Sequence, residues 1–319
     1  MVVLAVVVAI VVSIVVCGLG VRAGSRFGLV DLPDGYLKTH EGVPVPLGGV
    51  GVLIGLHSGM ALAGVFDLGL FLATVVVWFV GLYDDVRGLT PVVRLGAAGV
   101  AGGILVVLAR EFPTGLPSFV WVLVVMVMIN AVNLLDGLDA LAGAVSGVVA
   151  VGLGVFAMSQ GWIDGWAGLA LVGSLLGFLV WNYPPARLYL GDNGAYVVGV
   201  ALAWGAMTAG VDGSSSLVAI ALLGVPVFDL AITVGRRLLT RTTLFSGDRD
   251  HTYDKLYRAG WSVVRIALVF AAFQAVWSVG LIVISLNVGD RPAVITATVV
   301  GVLVVGLGIL ASSRHRQVG

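Results

Sequence analysis

Two adjacent carboxylates, Asp84 and Asp85, end an apolar stretch of the chain and are followed by Arg87. Two carboxylates side by side repel each other unless a cation or a basic group lies near them. A divalent metal ion, or a metal-bound diphosphate, would supply that positive charge. The alternative is a solvated helix end in which Arg87 neutralises the pair, and the pair taken alone favours that alternative slightly.

A second polar cluster ends another strongly apolar stretch and consists of Asn130, Asn133, Asp136 and Asp139, each three residues after the one before. Residues at this spacing are neighbours on a helical face. Polar groups at such a position are costly unless they bind something. Hydrogen bonding between helices is the alternative, but the rarity of carboxylates within membrane-spanning segments favours a functional role.

A third cluster surrounds Asp192, which lies between Gly191 and Gly194 and follows the paired prolines Pro184 and Pro185. The prolines are expected to end one helix, and the glycines allow a ligand or another backbone to approach closely. The next helix begins directly afterwards, so its first amides would face an anion. This combination suits a metal–phosphate site, and a helix cap formed by Asp192 is the alternative.

Two loops add basic groups to these carboxylates. The long polar loop 235–262 mixes Arg, His and Lys, a combination that suits a ligand bearing phosphate groups, although part of its charge reflects membrane orientation. The turn-rich loop 31–49 contributes Lys38 and His40.

The composition places all of these groups in a membrane protein. Of the 319 residues, 59% are apolar and 11% are charged, whereas about 25% are charged in a typical soluble domain. A soluble fold of this size cannot bury that much apolar surface, which excludes a soluble enzyme, a disordered chain and a nucleic-acid-binding module. Cys17 is the one cysteine, so neither an intrachain disulfide nor a cysteine-ligated zinc site is expected.

The expected fold is all-α, with eleven membrane-spanning helices of about 20 residues each. The predicted spans are roughly 2–20, 47–65, 67–83, 92–109, 118–135, 138–158, 165–182, 193–211, 215–233, 263–286 and 292–311. The first is interpreted as a span rather than a signal peptide, because it has neither a basic start nor a convincing cleavage site.

The basic residues predict the orientation of this bundle. Fifteen of the 17 Lys and Arg residues fall in loops on one face, which the positive-inside rule assigns to the cytoplasm. The N-terminus is then outside and the C-terminus inside. Twelve of the 17 carboxylates share the basic face, whereas a transporter would more often place them near the middle of the membrane.

All five clusters occur in order on one predicted face, and together they resemble the polyprenyl-phosphate N-acetylhexosamine-1-phosphate transferases. This glycosyltransferase family 4 also includes phospho-N-acetylmuramoyl-pentapeptide transferase. The similarity runs from about Gly28 to Ser262, within a single membrane-embedded domain of residues 1–319, and is most specific over 130–143 and 176–199. The resemblance implies a multi-helix membrane bundle with a cytoplasmic active site, in the plasma membrane.

The resemblance also implies a reaction. A polyprenyl phosphate attacks the β-phosphate of a UDP-N-acetylhexosamine, most simply UDP-GlcNAc, and gives a polyprenyl-diphosphate sugar and UMP. This would be the first membrane step of cell-wall or envelope polysaccharide synthesis. Mg²⁺ is the implied cofactor, with Mn²⁺ as an alternative, because both substrates are anionic where they react. No nucleic acid partner is implied, and a homodimer is left open.

Site roles follow from the same resemblance. Asp192 matches the principal Mg²⁺ ligand, with Asn133 beside it. Asp84 would orient or deprotonate the acceptor phosphate, and Asp85 would support the metal or the phosphates. The resemblance also implies that the nucleotide is bound by Asp136, Asp139 and Asn182, and that Tyr189 stacks on uracil. Phosphates or sugar would be bound by Lys38, Arg249 and His251. Of these three, His251 is counted with the catalytic groups.

The chain departs from the family pattern in ways that bear on sugar recognition. Ala140 replaces a usual glycine, Ala195 replaces a usual serine, and His251 stands alone where relatives carry several histidines. The absent histidine triplet favours a simple UDP-N-acetylhexosamine donor. Two other classes stay open: a transporter with an acidic ion path, and a catalytically inactive, lipid-binding relative. The carboxylate clustering on one face argues against the first, and the intact aspartate set argues against the second.

Overall fold

The computed structural model describes residues 2–29, 44–109, 115–161, 166–210, 212–243 and 250–314. Within these ranges the chain forms thirteen α-helices. In chain order they are α1 (Val2–Phe27), α2 (Gly48–Ala63), α3 (Leu68–Arg87), α4 (Pro91–Leu108), α5 (Ser118–Leu135), α6 (Leu141–Ser159), α7 (Trp166–Asn182), α8 (Gly191–Ala209), α9 (Gly213–Ala221), α10 (Gly224–Leu239), α11 (Thr252–Arg258), α12 (Val263–Val288) and α13 (Asp290–Arg314).

Seven of the helices in the described ranges, α1, α3, α4, α5, α6, α12 and α13, are long and apolar enough to cross a membrane. Helices α9 and α10 meet at an angle of 71° and together form an eighth candidate span. Helix α2 and the described part of α7 are shorter apolar helices. The all-α class is therefore confirmed for the described residues, with several candidate membrane spans.

The predicted spans coincide with helices α1 to α8, α12 and α13, whereas the ninth predicted span, 215–233, is divided between α9 and α10. Pro226, in the first turn of α10, explains the break because its ring clashes with the carbonyl group four residues earlier. Backbone groups freed inside a membrane must find new partners. Gln274 of α12 supplies them, donating to the Leu222 carbonyl at 2.9 Å and accepting from the Val225 amide at 2.8 Å.

Helix α8 lies in the centre of the bundle and packs on α2, α3, α5 and α6. Nearly all of its residues are buried. Close packing against α5 depends on Gly199, where an added Cβ would lie 2.6 Å from the Cα of Ile129. Small residues permit such close helix approach within membranes. The first turn of α8 is thus fixed among its neighbours.

Several helix termini meet at the end of the bundle where α8 begins, and we call this region the site end. Helices α3, α5 and α7 end there, while α2, α6 and α8 begin there. The segments that lead into α2 and α8 run parallel and form a single β-bridge between Val45 and Leu188. Beside it, the Gly48 amide donates to the Tyr189 carbonyl at 2.9 Å. The polar clusters found in the sequence are therefore brought to one place.

Candidate active site

The N-terminus of α8 is capped from another helix. Its own N-cap residue, Leu190, has no side chain that can accept a hydrogen bond. Instead, the Asp85 carboxylate at the end of α3 accepts from the Asp192 amide at 2.9 Å, the Asn193 amide at 3.2 Å and Asn193 Nδ2 at 2.6 Å. An anion at this position satisfies the exposed helix amides and the helix dipole. The alternative interpretation required Asp192 to cap its own helix, but the amides at this terminus donate to Asp85 instead.

Gly191 makes this arrangement possible. Its backbone has φ of +70°, a left-handed conformation that favours glycine. An added Cβ would also lie 2.9 Å from Asp85 Oδ2 and 3.1 Å from the Pro46 carbonyl oxygen. The glycine before Asp192 thus allows the α3 carboxylate and the segment before α2 to approach the first turn of α8.

Asp192 lies beside the predicted partner Asn133, whose side-chain amide donates to its carboxylate. The neighbouring Asp136 carboxyl group lies near the backbone amide of Gly191. Burial, and then the charges of Asp192 and Asp85, hold the pKa of the Asp136 carboxyl well above its usual range. Several carboxyl groups therefore lie close together around the first turn of α8, and a cation bound there would favour their ionised forms.

Asp84 is buried and surrounded by donors. Arg94 of α4 contacts both of its oxygens, with Nε 2.7 Å from Oδ2 and a terminal nitrogen 2.8 Å from Oδ1. The Tyr196 hydroxyl donates to Oδ2 at 2.8 Å, and the Leu89 amide donates to Oδ1 at 2.7 Å. Arg94, rather than the Arg87 suggested by the sequence, therefore neutralises Asp84, while Asp85 is held by the first turn of α8.

Asp139 and Asn182 fix the turn between α5 and α6 against the segment that precedes α8. Asn182 accepts from the Ala140 amide and donates to the Leu188 carbonyl, both at 2.8 Å, while Asp139 accepts from the Ala186 amide at 2.9 Å. Both ends of the Asn182 amide group are thus engaged in positioning backbone. That Asp139 and Asn182 also contact a nucleotide stays a prediction.

Tyr189 is held at the same end through its backbone, since its amide donates to the Val45 carbonyl at 2.9 Å. Its side chain is half-buried, and stacking on uracil stays a prediction. Lys38 and Arg249 lie outside the described residues.

His251 lies at the start of α11 and is almost fully buried. Its Nδ1 is 3.3 Å from Asp229 Oδ2 and 3.2 Å from Thr233 Oγ1, both on α10. Its ring stacks on Tyr253 with centroids 5.2 Å apart and planes 2° from parallel. The Tyr253 hydroxyl then donates to the Leu134 carbonyl at 2.9 Å. Helix α11 is thereby docked on the turn that carries Asp136.

Basic groups gather around Asp250, directly before His251. Its carboxylate lies 3.3 Å from Arg236, 3.5 Å from Lys255 and 3.4 Å from Arg258. Burial is the main cause that lowers the pKa of Lys255, and Asp250 opposes that shift. This positive region borders the carboxylate-rich turn and suits an anionic ligand.

The donor chemistry at Asp192 fits Mg²⁺, which prefers oxygen ligands. Within the described ranges, no three His, Cys, Asp or Glu side chains are grouped so as to hold a metal ion by themselves. Mg²⁺ is usually held by one or two carboxylates together with substrate phosphates rather than by an all-protein cage. Asp192, with Asn133 and Asp136 beside it, therefore fits an ion that is shared with a substrate phosphate.

Four residues at the site end were not identified as site residues from the sequence: Arg94, Asn193, Tyr196 and Asp229. In the sequence, Arg94 serves only as an orientation signal, Asn193 only as a neighbour of Asp192, and Tyr196 carries no signal of its own. Asp229 carried the clearest missed signal, because it is a carboxylate at the end of a predicted span.

The sequence pattern of glycosyl transferase family 4 matches residues 68–210. That segment begins with α3 and ends just after α8, so it includes Asp84, Asp85, Asp136 and Asp192. The match thus covers the carboxylates that gather around the first turn of α8.

Curated relatives match over more of the chain. A Bacillus subtilis (strain 168) protein named probable undecaprenyl-phosphate N-acetylglucosaminyl 1-phosphate transferase is 29% identical over 286 residues, which cover 82% of this chain and 79% of that protein. The undecaprenyl-phosphate alpha-N-acetylglucosaminyl 1-phosphate transferase of Salmonella typhi is 27% identical over 273 residues, covering 76% and 73%. A phospho-N-acetylmuramoyl-pentapeptide-transferase of Desulforudis audaxviator is 34% identical over 220 residues, covering 67% and 61%. The family predicted from the residues is confirmed: the chain belongs to glycosyl transferase family 4.

Proposed function

We propose that this protein transfers N-acetylhexosamine 1-phosphate, specifically GlcNAc 1-phosphate, from a UDP-sugar to a polyprenyl phosphate. The products are a polyprenyl-diphosphate sugar and UMP, in the first membrane step of cell-wall or envelope polysaccharide synthesis. The observation that carries the proposal is the concentration of carboxylates around the first turn of α8, bordered by the basic groups of α4, α10 and α11. The names of two relatives support the same reaction.

Mg²⁺ fits between the carboxylates and the phosphates of the substrates. Asp192 would hold the ion, with Asn133 and Asp136 beside it, and Asp85 would keep the first turn of α8 in place. When bound, the ion offsets the charge of the reacting phosphates and stabilises the charge that develops during transfer.

Arg94 is suited to bind the acceptor phosphate. Its side chain is 38% exposed, while the Asp84 side chain that holds it is fully buried. An arginine presents paired donors that match phosphate oxygens. Asp84 then orients the acceptor indirectly, by fixing the guanidinium group, and Tyr196 holds Asp84 from its other side.

The UDP-sugar donor is assigned to the side of the carboxylates away from Arg94. The phosphates or the sugar would be bound by His251, Arg249 and Lys38. The nucleotide would be bound by Asp136, Asp139 and Asn182. Tyr189 would stack on uracil.

The proposed topology has eleven spans in a single domain of residues 1–319, whose motif-bearing part is 28–262. The N-terminus lies outside, and the C-terminus and active site lie on the cytoplasmic side of the plasma membrane. Support comes from Arg94, Arg236 and Arg237, which belong to the predicted cytoplasmic face and lie in the helices that reach the site end. Cytoplasmic access is also what a UDP-sugar donor requires. The proposal leaves a homodimer open.

UMP release by the purified protein tests the proposed function. With UDP-GlcNAc, polyprenyl phosphate and Mg²⁺, we expect UMP to appear and to stop when the lipid is omitted or the metal is chelated. No UMP under any condition, or UMP release that does not need the lipid, would contradict the proposal. Uptake of intact UDP-sugar into vesicles would favour the transporter instead.

A further inference from the structure

The break between α9 and α10 involves more of the main chain than its proline explains. In a continuous helix the Leu222 carbonyl would accept from residue 226, which as Pro226 has no amide hydrogen. The Ala221 carbonyl would accept from the Val225 amide, and neither of these groups belongs to a proline. Pro226 therefore accounts directly for only one of the two main-chain bonds that the break replaces.

Side chains of α12 bind the main-chain groups at the break. Gln274 Nε2 donates to the Leu222 carbonyl at 2.9 Å, and Gln274 Oε1 accepts from the Val225 amide at 2.8 Å. Trp277 Nε1 donates to the Ala221 carbonyl at 2.7 Å. Because the membrane interior offers no water to such groups, these bonds stabilise the bent form against a continuous helix.

The two side chains of α12 are themselves fixed. Gln274 is fully buried, and its Nε2 also donates to Ser278 Oγ at 3.0 Å. The Trp277 ring packs edge-on against Phe228 of α10, with centroids 5.0 Å apart. An added Cβ on Gly224 would lie 2.6 Å from the same ring. These contacts leave little freedom in the direction that α10 takes from the break.

Beyond the break, α10 carries groups that reach the site end. Arg236, in its last turn, is buried and lies 3.3 Å from Asp250. Asp229 and Thr233 contact His251 at 3.3 Å and 3.2 Å. These contacts join α10 to the start of α11 and to the positive region that borders the carboxylate-rich turn. A change in the direction of α10 would therefore be carried to that region.

We infer that Gln274 and Trp277 are positioning residues: they bind the main chain at the break, set the direction of α10 and thereby place its basic groups beside the donor. The effect on the donor rests on the proposed function. The hold of α12 on the break does not, and it can be measured on its own.

Distances between spin labels on the full-length protein test the hold on the break. Labels at Leu217→Cys on α9 and Leu239→Cys on α10, both exposed positions, span the break. Gln274→Met keeps an unbranched side chain of similar length but removes the hydrogen bonds. We expect it to lengthen this distance, because the Val225 amide can then bond to the Ala221 carbonyl as in a straighter helix. An unchanged distance would overturn the inference.

A second pair of labels reports on the overall fold. Val107→Cys on α4 and Val283→Cys on α12 are exposed and lie away from the break, so their distance should stay constant. If Gln274→Met alters this pair as well, Trp277→Phe decides, since it loses one hydrogen bond but keeps an aromatic ring beside Phe228. A changed distance across the break in Trp277→Phe would support the inference, and an unchanged one would overturn it.

The consequence for the donor is tested by the KM values of the two substrates. Gln274→Met should raise the KM for UDP-GlcNAc by about tenfold, since a misplacement of about 1 Å can cost about 10²-fold. The KM for polyprenyl phosphate, which Arg94 of α4 is proposed to bind, should stay nearly unchanged. A merely structural defect would lower kcat by reducing the number of active molecules and would alter neither KM. A loss in kcat alone, or equal changes in both KM values, would overturn the positioning role.

Ser278→Ala is the matched control, because it removes the one hydrogen bond of Gln274 that does not reach the break. The distance across the break and the KM for UDP-GlcNAc should stay as in wild type. Changes as large as those in Gln274→Met would overturn the inference. If neither wild type nor any variant releases UMP, the proposed function fails, while the label distances still decide whether α12 holds the break.

Discussion

Asn193 holds Asp85 with two hydrogen bonds, one from its side chain at 2.6 Å and one from its backbone amide at 3.2 Å. The same side chain donates its second hydrogen to the Pro46 carbonyl at 2.8 Å. One buried amide group therefore joins the end of α3, the start of α8 and the segment that leads into α2. These three parts of the chain surround the proposed metal and phosphates.

Asn193→Ala should lower activity by loosening this junction. Loss of hydrogen bonds to a buried charge costs about 1.5–3 kcal/mol, and each 1.4 kcal/mol corresponds to about tenfold in rate. We expect kcat/KM to fall by about tenfold or more, with a lower unfolding temperature. Asn287→Ala is the control, because Asn287 is exposed and bonds only to its own helix. Equal, small effects of the two variants would show that Asn193 does not hold the site.

Tyr253→Phe should reduce activity less than His251→Ala. The Phe ring can still stack on His251 but loses the hydrogen bond to Leu134, whose net value is about 0.5–1.5 kcal/mol. Removal of the His251 imidazole should slow transfer by about 10²-fold, if it contacts the reacting groups. Tyr257→Phe serves as the control, since Tyr257 is exposed on the same helix. A His251→Ala protein that is less stable but as active per folded molecule would refute the functional role of His251.

Ala140→Gly should stabilise the protein. Ala140 has φ of +62°, a left-handed conformation at the start of α6, which costs about 1–2 kcal/mol for a residue with a Cβ. Glycine avoids that cost, but its greater conformational freedom in the unfolded chain lowers the free energy of unfolding by about 0.5–1 kcal/mol. A rise in unfolding temperature is expected. Ala144→Gly, in the interior of α6, should lower it instead, and the same sign for both variants would contradict the strain at Ala140.

Labelling of introduced cysteines should reveal the orientation. Arg187→Cys, on the exposed segment at the site end, should react only with reagents that reach the cytoplasm. Asn287→Cys, at the far end of α12, should react from outside the cell. Cys17 is buried and should contribute little background. Reversed labelling would place the site in the wrong compartment for a UDP-sugar and would refute the positive-inside assignment.

The sequence allowed much of the fold to be predicted because the relevant signals are local. Apolar stretches of about 20 residues identify membrane helices whatever their partners are. The spacing of Asn130 and Asn133 correctly predicts a shared helix, whereas Asp136 and Asp139 follow the end of α5 at Leu135 and do not lie on its face. The same reasoning failed at residues 215–233, where Pro226 breaks the span and its backbone groups are satisfied by Gln274, a residue distant in the sequence.

The charge partners within the site could not be predicted in this way. Arg94 of α4 neutralises Asp84 of α3, and Asp229 of α10 lies beside His251 at the start of α11. Such pairs depend on how helices pack, which one sequence does not encode in any local pattern. The cap of α8 is a further case, since Asp85 performs a role that the sequence suggested for Asp192.

The mass of the lipid product, compared between wild type and Asp192→Asn, tests the central claim most directly. With UDP-GlcNAc, polyprenyl phosphate and Mg²⁺, wild type should yield a lipid that has gained N-acetylhexosamine together with one phosphate, in step with UMP. Asp192→Asn, which keeps the size but removes the charge, should lower that yield by far more than about tenfold, while Asp212→Asn, at a helix cap where Asn also serves, should not. A lipid that gains sugar without phosphate, or an Asp192→Asn protein that retains most of the activity, would contradict the account.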